Sequence, residues 1–237
     1  TDGEQLLDSL LKNKNDDKDK PIKATDAKTI VVYGDSISQQ GFWTNAFEKR
    51  IREEYKGQYA VINRSIMGNR ILKDFHKRFP CPGLFGISGI NRYNDDVLRF
   101  PDAEYVVFVL GTNDFLQYGT IAAPKSEKPT PEKVFNAVKE LSEKAHESGK
   151  KFIVMNVLHF GHCVDSRPEK EEMVLEYNRL LMENKDCFDM VYDQASYCID
   201  KDKPNCSRIE LLGKDKLHPN FKGGQVVANN FDLSIFR

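Results

Sequence analysis

A serine, an aspartate and a histidine stand in this 237-residue chain in an arrangement that could carry out acyl transfer. Ser36 follows the apolar run Thr29–Tyr33, and Asp215 and His218 are three residues apart near the other end of the chain. A histidine oriented by a carboxylate can take the proton of a serine hydroxyl and so activate the hydroxyl for attack on an ester carbonyl. Each motif alone is also common in turns and helix caps, so the prediction rests on their combination.

Two further motifs, Gly68–Asn69 and Gly111–Asp114, each come directly after a strand-like run. The side-chain amide of Asn113 can donate a hydrogen bond to the oxyanion of an acyl-transfer intermediate, and one such donor is typically worth about 3 kcal/mol in the transition state. The backbone N–H groups of Ser36 and Gly68 are the other candidate donors. The alternative for both motifs is ordinary turn chemistry, because Gly and Asn favour loops.

Strand and helix patterns alternate from Lys28 onwards, and these elements must position the motifs. Short runs rich in Val, Ile, Phe and Tyr predict strands at Thr29–Tyr33, Tyr59–Asn63, Tyr105–Leu110, Phe152–Val157 and Met190–Tyr192. Apolar residues at steps of three and four predict helices at Thr44–Tyr55, Pro131–Ser148 and Pro168–Asn184, and a last helix from Pro219 towards Asp232.

Strands joined by helical crossovers predict an α/β fold, in which a parallel sheet has helices on both faces. Ligands of such sheets bind at the carboxyl ends of the strands. Ser36, Gly68 and Asn113 each lie just past a predicted carboxyl end, so we expect them to meet at one edge of the sheet.

Composition and charge exclude several classes of function. With 35 basic and 36 acidic residues, nothing indicates a nucleic-acid partner, and no apolar run is long enough to span a membrane. Neither a P-loop nor a dinucleotide-binding fingerprint is present. Residues 28–237 are expected to form a single domain, whereas the charged residues 1–27 indicate a leader or linker.

The five cysteines show no C-x-x-C spacing, which argues against a structural zinc site. Cys198 and Cys206 flank a short loop and could form a disulfide if the protein is exported. The segment His159–Cys163 contains two histidines and a cysteine, but three ligands so close together with no distant fourth fit a metal site poorly. We therefore expect neither a metal nor a cofactor.

In their order and spacing, Gly34-Asp35-Ser36, Gly68-Asn69, Gly111-x-Asn113-Asp114 and Asp215-x-x-His218 resemble the four sequence blocks of the SGNH hydrolases, also called GDSL esterases and lipases. The resemblance runs from about Lys28 to the C-terminus. Three further segments, 63–72, 92–98 and 218–224, are similar to a secreted bacterial branch of the family. The resemblance implies a three-layer α/β/α sandwich with a central five-stranded parallel sheet, in a flavodoxin-like arrangement.

By the same resemblance, Ser36 is the nucleophile, His218 the general base and then acid, and Asp215 its orienting partner. The oxyanion hole would comprise the backbone amides of Ser36 and Gly68 and the side chain of Asn113. Three positions depart from the family pattern: Ile37 replaces a leucine, and Ser65 and Met67 replace small residues. Two further assignments concern residues near these blocks: Gly89, in a similar motif, is not expected to be the second-block glycine, and Asp35 is expected to bond turn amides.

Four other residues are candidates for the substrate pocket: Asn69 in the second motif, Phe42 and Trp43 a few residues past Ser36, and His159, which follows the fourth predicted strand. For the two aromatic residues, packing of the first long helix against the sheet is an equal alternative.

The sequence thus predicts a serine esterase that cleaves short acyl groups, acetyl above all, from a carbohydrate or other small alcohol. Hydrolysis of a lysophospholipid or thioester is the nearest alternative, and a non-catalytic carbohydrate- or ligand-binding module is the alternative from another class. The resemblance to secreted bacterial proteins predicts export with removal of a leader, while a cytoplasmic location remains the alternative.

Overall fold

Five parallel strands form one sheet in the order β2-β1-β3-β4-β5. The structure is a computed structural model that describes residues 27–76, 81 and 83–237. Each pair of neighbouring strands is parallel, so every connection between consecutive strands returns from the carboxyl ends of the strands to their amino ends. The strands are β1 (Lys28–Gly34), β2 (Tyr59–Asn63), β3 (Ala103–Val109), β4 (Lys151–Met155) and β5 (Met190–Tyr192); a separate antiparallel hairpin consists of β6 (Ile199–Asp200) and β7 (Lys203–Ser207).

Long helices join the strands, and short helices carry many of the polar motifs. The α-helices of the described residues are α1 (Ser36–Gln39), α2 (Phe42–Tyr55), α3 (Gly89–Tyr93), α4 (Thr112–Gln117), α5 (Pro131–Glu147), α6 (Pro168–Glu183), α7 (Gln194–Cys198) and α8 (Phe221–Asn229). A π-helical turn (Asn94–Leu98) continues α3, and 3-10 turns lie at Lys125–Glu127, Lys185–Cys187, Ile209–Leu211 and Leu233–Phe236. None of the described helices has the length and apolar character that crossing a membrane requires.

Local sequence explains where α5 begins and ends. Thr130 accepts a hydrogen bond from the backbone N–H of Lys133, and Pro131 occupies the first turn, where its missing N–H costs nothing. Gly149 follows the helix with φ of 71°, a left-handed conformation that glycine adopts without a steric penalty. Between these ends, one face of the helix is buried against the sheet, with Val134, Val138, Leu141 and Ala145 at its centre.

Side chains of β1 point alternately into two hydrophobic clusters, one on each face of the sheet. Val31 and Tyr33 pack beneath α5 and α6, whereas Ile30 and Val32 pack beneath α2 and α8. Burying each such side chain contributes about 1.5–3 kcal/mol. The fold is therefore the three-layer α/β/α sandwich that the family resemblance implied.

Helices α2 and α8 approach each other closely because α8 has glycine at the contact. A Cβ on Gly224 would lie 2.6 Å from the backbone carbon of Phe42, so only glycine fits there. Helix α8 begins at Phe221, two residues after the predicted start at Pro219. The reason is that the side chain of Asn220 accepts a hydrogen bond from the N–H of Gly223 and caps the helix.

The strand predictions match the observed sheet, whereas the possible disulfide is not formed. Cys198 and Cys206 are both free thiols: Cys198 packs in the cluster beneath α2, whereas the Sγ of Cys206 lies against Gly161. Burial raises the pKa of Cys198 to about 11, so its thiol stays protonated at neutral pH. The short helices α1, α3, α4 and α7 and the hairpin were not predicted. The predicted leader, residues 1–27, lies outside the described residues except for Ala27.

Candidate active site

The carboxyl ends of β1 and β3 bring Ser36 and Asn113 to one edge of the sheet, as the sequence predicts. Ser36 is the first residue of α1 and directly follows Asp35, whose carboxylate caps that helix by accepting from the N–H of Ile37. A cavity of about 290 Å³ opens at this edge. Four of the predicted site residues line it together: Ser36, Gly68, Asn113 and His218.

A continuous chain of hydrogen bonds joins the predicted nucleophile, base and carboxylate. His218 Nε2 lies 2.7 Å from Ser36 Oγ, and His218 Nδ1 lies 2.6 Å from Asp215 Oδ2. With the proton on Nδ1, the imidazole donates to Asp215 and accepts from the hydroxyl of Ser36, which is the arrangement that general-base catalysis requires. The contact between His218 and Ser36 joins residues 182 positions apart in the sequence, whereas Asp215 and His218 are only three apart.

Asp215 is held as a carboxylate by its surroundings. Partial burial opposes ionisation, but hydrogen bonds from the His218 side chain and from the backbone N–H groups of Leu217 and His218 outweigh it, so the pKa of Asp215 lies below its usual value. The tight turn of residues 215–218 supplies both backbone donors, which explains why the Asp-x-x-His spacing suits this role. A fixed negative charge at Nδ1 would stabilise an imidazolium if His218 took a proton from Ser36.

Gly68 and Asn113 face the same cavity as the Ser36 hydroxyl. Gly68 has φ of 68°, and a Cβ there would lie 2.1 Å from the Phe85 ring, so both backbone conformation and space require glycine. The side chain of Asn113 is 7% exposed and its Nδ2 is 3.2 Å from Asp35 Oδ2. Asn113 thus lines the same cavity as Ser36, where its amide could donate to an oxyanion formed in an acyl-transfer reaction.

Gln117 holds the two candidate oxyanion-hole segments together, and the sequence analysis missed it. Its Nε2 donates to the carbonyl oxygen of Gly68 at 2.7 Å and to Asn113 Oδ1 at 3.0 Å. The second contact fixes the amide orientation of Asn113, so that Nδ2 is the atom directed towards Asp35. The available signal was spacing, because Gln117 lies four residues after Asn113 and therefore on the same face of α4.

We expect Gln117→Leu to lower kcat about tenfold with little change in KM, because it would loosen the two candidate oxyanion donors, Gly68 and Asn113, whose contacts are needed mainly in the transition state. Steady-state kinetics on a chromogenic ester measure both constants. Gln117→Glu, which keeps the length of the side chain, provides the matched comparison. An unchanged kcat in Gln117→Leu would show that the segments keep their geometry without this side chain.

Asp35 is fully buried between the nucleophile and Asn113. Loss of hydration raises its pKa to about 7, although the hydrogen bond from the N–H of Ile37 opposes the shift. Because the folded protein then binds this proton more tightly than the unfolded chain, Asp35 contributes stability below about pH 4 that is lost as the pH rises through 7.

Between pH 4 and pH 7, the free energy of unfolding of the wild type should therefore fall by about 2–4 kcal/mol more than that of Asp35→Asn. Urea unfolding of both proteins at a series of pH values measures the difference. Asparagine keeps an acceptor for the N–H of Ile37. If the altered contact with Asn113 lowers the free energy of unfolding by the same amount at every pH, that loss does not affect its change with pH. Parallel pH profiles for the two proteins would contradict the raised pKa.

Arg92 is a buried cation that connects the segments on either side of the nucleophile. It donates to the carbonyl oxygens of Gly34 and Arg64, to Asn69 Oδ1 and to Asp96 Oδ2, and its guanidinium lies 3.9 Å from the centre of the Tyr33 ring. Each acceptor is at most 3.2 Å away, so the ends of β1 and β2 are tied to one rigid planar group.

The four additional pocket candidates do not line the described part of this cavity. Asn69 is buried and donates to the carbonyl oxygens at positions 85 and 87, which holds the loop that carries Phe85. Trp43 is buried, and its Nε1 donates to Ser38 Oγ, whereas Phe42 lies on a separate groove between α2 and α8. His159 is buried with its Nδ1 3.8 Å from Glu171. The burial of Trp43 favours the packing alternative for that residue.

The remaining walls of the cavity are largely apolar. Phe85, Leu116, Ile121, Ala122 and Leu217 line it together with Met67, Gln117, Thr120 and Asp165. Over the described part of the chain, no three His, Cys, Asp or Glu side chains are placed so that they could hold a metal ion. The groups of this cavity that can carry acyl-transfer chemistry are the serine, the histidine with its aspartate and the hydrogen-bond donors around them.

Comparisons with known proteins agree with this fold. The family model described as GDSL-like Lipase/Acylhydrolase matches residues 30–231, and no curated protein matches the chain. Among solved structures, the acetyl xylan esterase AlAXEase has a TM-score of 0.60 at 21% identity, with 85% of this chain and 96% of that chain covered.

Two other solved structures have the same fold. A mutant of Axe2, an acetylxylan esterase from Geobacillus stearothermophilus, has a TM-score of 0.65 at 14% identity, with 85% of this chain and 91% of that chain covered. TesA has a TM-score of 0.57 at 18% identity, with 86% and 95% covered. At such identities the likeness shows a shared fold.

Proposed function

The chain belongs to the family of GDSL-like lipases and acylhydrolases and is a carboxylic ester hydrolase, and from this we propose that it acts through an acyl-enzyme on Ser36. The observation that carries the proposal is the hydrogen-bond chain from Asp215 through His218 to Ser36, which ends at the wall of a cavity. Both distances are 2.7 Å or less. The distance from Ser36 Oγ to His218 Nε2 is short enough for a proton to pass from the serine to the histidine.

In the first half of the reaction, His218 Nε2 takes the hydroxyl proton while Ser36 Oγ forms a bond to the ester carbonyl carbon. The carbonyl oxygen becomes an oxyanion, which accepts from the N–H groups of Ser36 and Gly68 and from Asn113 Nδ2. The imidazolium then gives its proton to the departing alcohol as the carbon–oxygen bond breaks. In the second half, a water molecule gives a proton to His218 and attacks the acyl-enzyme through the same steps. The acid is released and the Ser36 hydroxyl is restored.

We infer that the acyl group is short, acetyl above all, and that the alcohol is a carbohydrate or another small molecule. Two observations support this proposal. Two structures of the same fold are described as acetyl xylan esterases. The lining of the cavity beside Ser36 also includes the polar side chains of Thr120 and Asp165, with which a hydroxyl-rich alcohol could form hydrogen bonds.

A longer acyl chain, as in a lysophospholipid or a thioester, is the second candidate. The observation that favours it is the apolar wall formed by Phe85, Leu116, Ile121 and Leu217. An acetyl group would occupy only a small part of a cavity of about 290 Å³, and each further methylene buried there would gain about 0.8 kcal/mol.

Hydrolysis of p-nitrophenyl esters from acetyl to palmitoyl tests both candidates. The proposal predicts that kcat/KM is greatest for acyl groups of about two to four carbons and falls as the acyl chain lengthens. A maximum at about eight carbons or more would reject the short-chain assignment in favour of the second candidate. A Ser36→Ala variant measured beside the wild type separates enzymatic turnover from spontaneous hydrolysis.

A further inference from the structure

A second cavity, of about 450 Å³, adjoins the cavity that contains Ser36. Thr120 and Asp165 line both cavities, so the two share a wall, and a substrate bound at Ser36 could extend past these residues into the second cavity. Its other lining residues come from the segment after α4 and from the start of α6: Tyr118, Gly119, Lys125, Lys128, Arg167, Pro168, Glu169 and Lys170.

Four of these lining residues are basic: Lys125, Lys128, Arg167 and Lys170. Within the described residues, none of the four forms an ion pair. Lys125 and Lys128 are exposed at the mouth of the cavity, so their ammonium groups can reach a bound molecule. This concentration of positive charge contrasts with the whole chain, whose formal net charge is −1.

Lys170 is the buried member of the set and is only 4% exposed. Its Nζ donates to the carbonyl oxygens of Leu116 and Asp165 at 2.6 and 3.0 Å and lies 4.9 Å from the centre of the Tyr118 ring. Loss of hydration lowers the pKa of Lys170. No carboxylate lies within ion-pair distance of Nζ among the described residues, and Asp165 and Glu169 act on its charge only from farther away, so a bound anion would supply a closer counter-charge.

Two carboxylates in the cavity offset part of this charge. Glu169 Oε1 accepts from the Tyr118 hydroxyl at 3.1 Å, which turns that carboxylate towards the ring, and Asp165 lies at the wall shared with the first cavity. Four cations against two carboxylates leave a net positive charge. The second cavity therefore attracts a negatively charged group. Asp165 lies between such a group and an ester bound at Ser36.

From this geometry we propose that the alcohol portion of the substrate carries an anionic group, a carboxylate or a phosphate, that binds among Lys125, Lys128, Arg167 and Lys170. The inference rests on the proposed function, since it places the ester carbonyl at Ser36. It identifies the substrate class as acylated acidic sugars or similar acylated anionic alcohols. The charged group contributes to binding and orientation and takes no part in bond breaking.

The test uses three acetylated methyl glucosides that differ only at carbon six: a neutral hydroxymethyl group, a carboxylate and a phosphate. Each is acetylated at one ring hydroxyl in turn, and kcat and KM are measured for the wild type and for Lys125→Gln/Lys128→Gln. The exposed pair Lys144→Gln/Lys185→Gln is the control, because it removes the same charge at the far ends of α5 and α6.

We expect the wild type to favour at least one anionic ester about tenfold over the neutral ester in kcat/KM. The Lys125/Lys128 variant should lose about tenfold on the anionic ester, mainly through KM, and less than about twofold on the neutral ester. The advantage should shrink as NaCl is raised from about 0.02 to about 0.5 M, since the two lysines are exposed to screening. If the carboxylate ester has the higher kcat/KM, the anionic group of the substrate is a carboxylate, and if the phosphate ester has the higher value, it is a phosphate.

Equal kcat/KM for all three esters, or equal losses on neutral and anionic esters in the lysine variant, would overturn this inference and leave the proposed function standing. Failure of the wild type to hydrolyse any of the esters, together with inactivity on the p-nitrophenyl series, would overturn both.

Discussion

Ser36→Ala reduces turnover by a factor of about 10⁴ to 10⁶, to a residual rate close to spontaneous hydrolysis, while the free energy of unfolding changes by less than about 1 kcal/mol. The large kinetic effect follows because the Oγ that bonds to the substrate is removed, and His218 Nε2 loses its partner at 2.7 Å. The small effect on stability follows because Asp35, not Ser36, caps α1 through the N–H of Ile37. Loss of activity is therefore expected without loss of structure.

The measurement is hydrolysis of p-nitrophenyl acetate and butyrate, with urea unfolding of the same preparations. Ser148→Ala is the matched control, since Ser148 is exposed at the end of α5, on the amino-terminal edge of the sheet and away from the cavity. A Ser36→Ala protein that retained more than about one-hundredth of the wild-type kcat would remove Ser36 as the nucleophile.

Asn113→Ala should lower kcat by about a hundredfold to a thousandfold, with a much smaller change in KM. The amide donates most strongly when the carbonyl oxygen has become an oxyanion, so its loss affects the transition state more than substrate binding. The variant also leaves Asp35 Oδ2 and Gln117 Nε2 without one partner each, which we expect to cost about 1–3 kcal/mol of stability.

Kinetics measured well below the unfolding temperature separate these two effects. Asn136→Ala, an exposed position on α5, serves as the control for the assay and the preparation. A rise in KM with kcat unchanged would instead make Asn113 a contact to the bound ester, and the oxyanion would then depend on the backbone donors of Ser36 and Gly68 alone.

The strands and the residues that follow them could be predicted because the signals are local. The residues from Ile30 to Tyr33 are apolar or aromatic and fully buried, as in a strand covered on both faces, and the polar residues begin at Asp35, directly after β1 ends. The meeting of Ser36 and Asn113 then follows from the parallel arrangement alone. His218 could be placed only through its family resemblance, because nothing local indicates which edge of the sheet the segment 215–218 reaches.

The pocket residues could not be predicted because proximity in sequence does not decide which way a side chain points. Asn69 follows Gly68 directly, yet the left-handed conformation of Gly68 turns the chain so that Asn69 is buried beside Arg92. Phe85 contacts Gly68 from a loop 17 residues away, and Ile121 comes from the segment after α4. Such contacts depend on the path of the long connections that fold back over the carboxyl ends of the strands. The sequence carries no periodic signal for that path.

The separation of 182 residues between the two partners of the central hydrogen bond makes activity a property of the complete domain. Ser36 is placed by the first strand and His218 by the turn before the last helix, and α8 is held against α2 where Gly224 meets Phe42. Contacts between distant parts of a chain form late in folding. Recovery of ester hydrolysis during refolding should consequently lag behind recovery of helical structure, which makes catalysis a sensitive reporter of correct docking of the C-terminal helix.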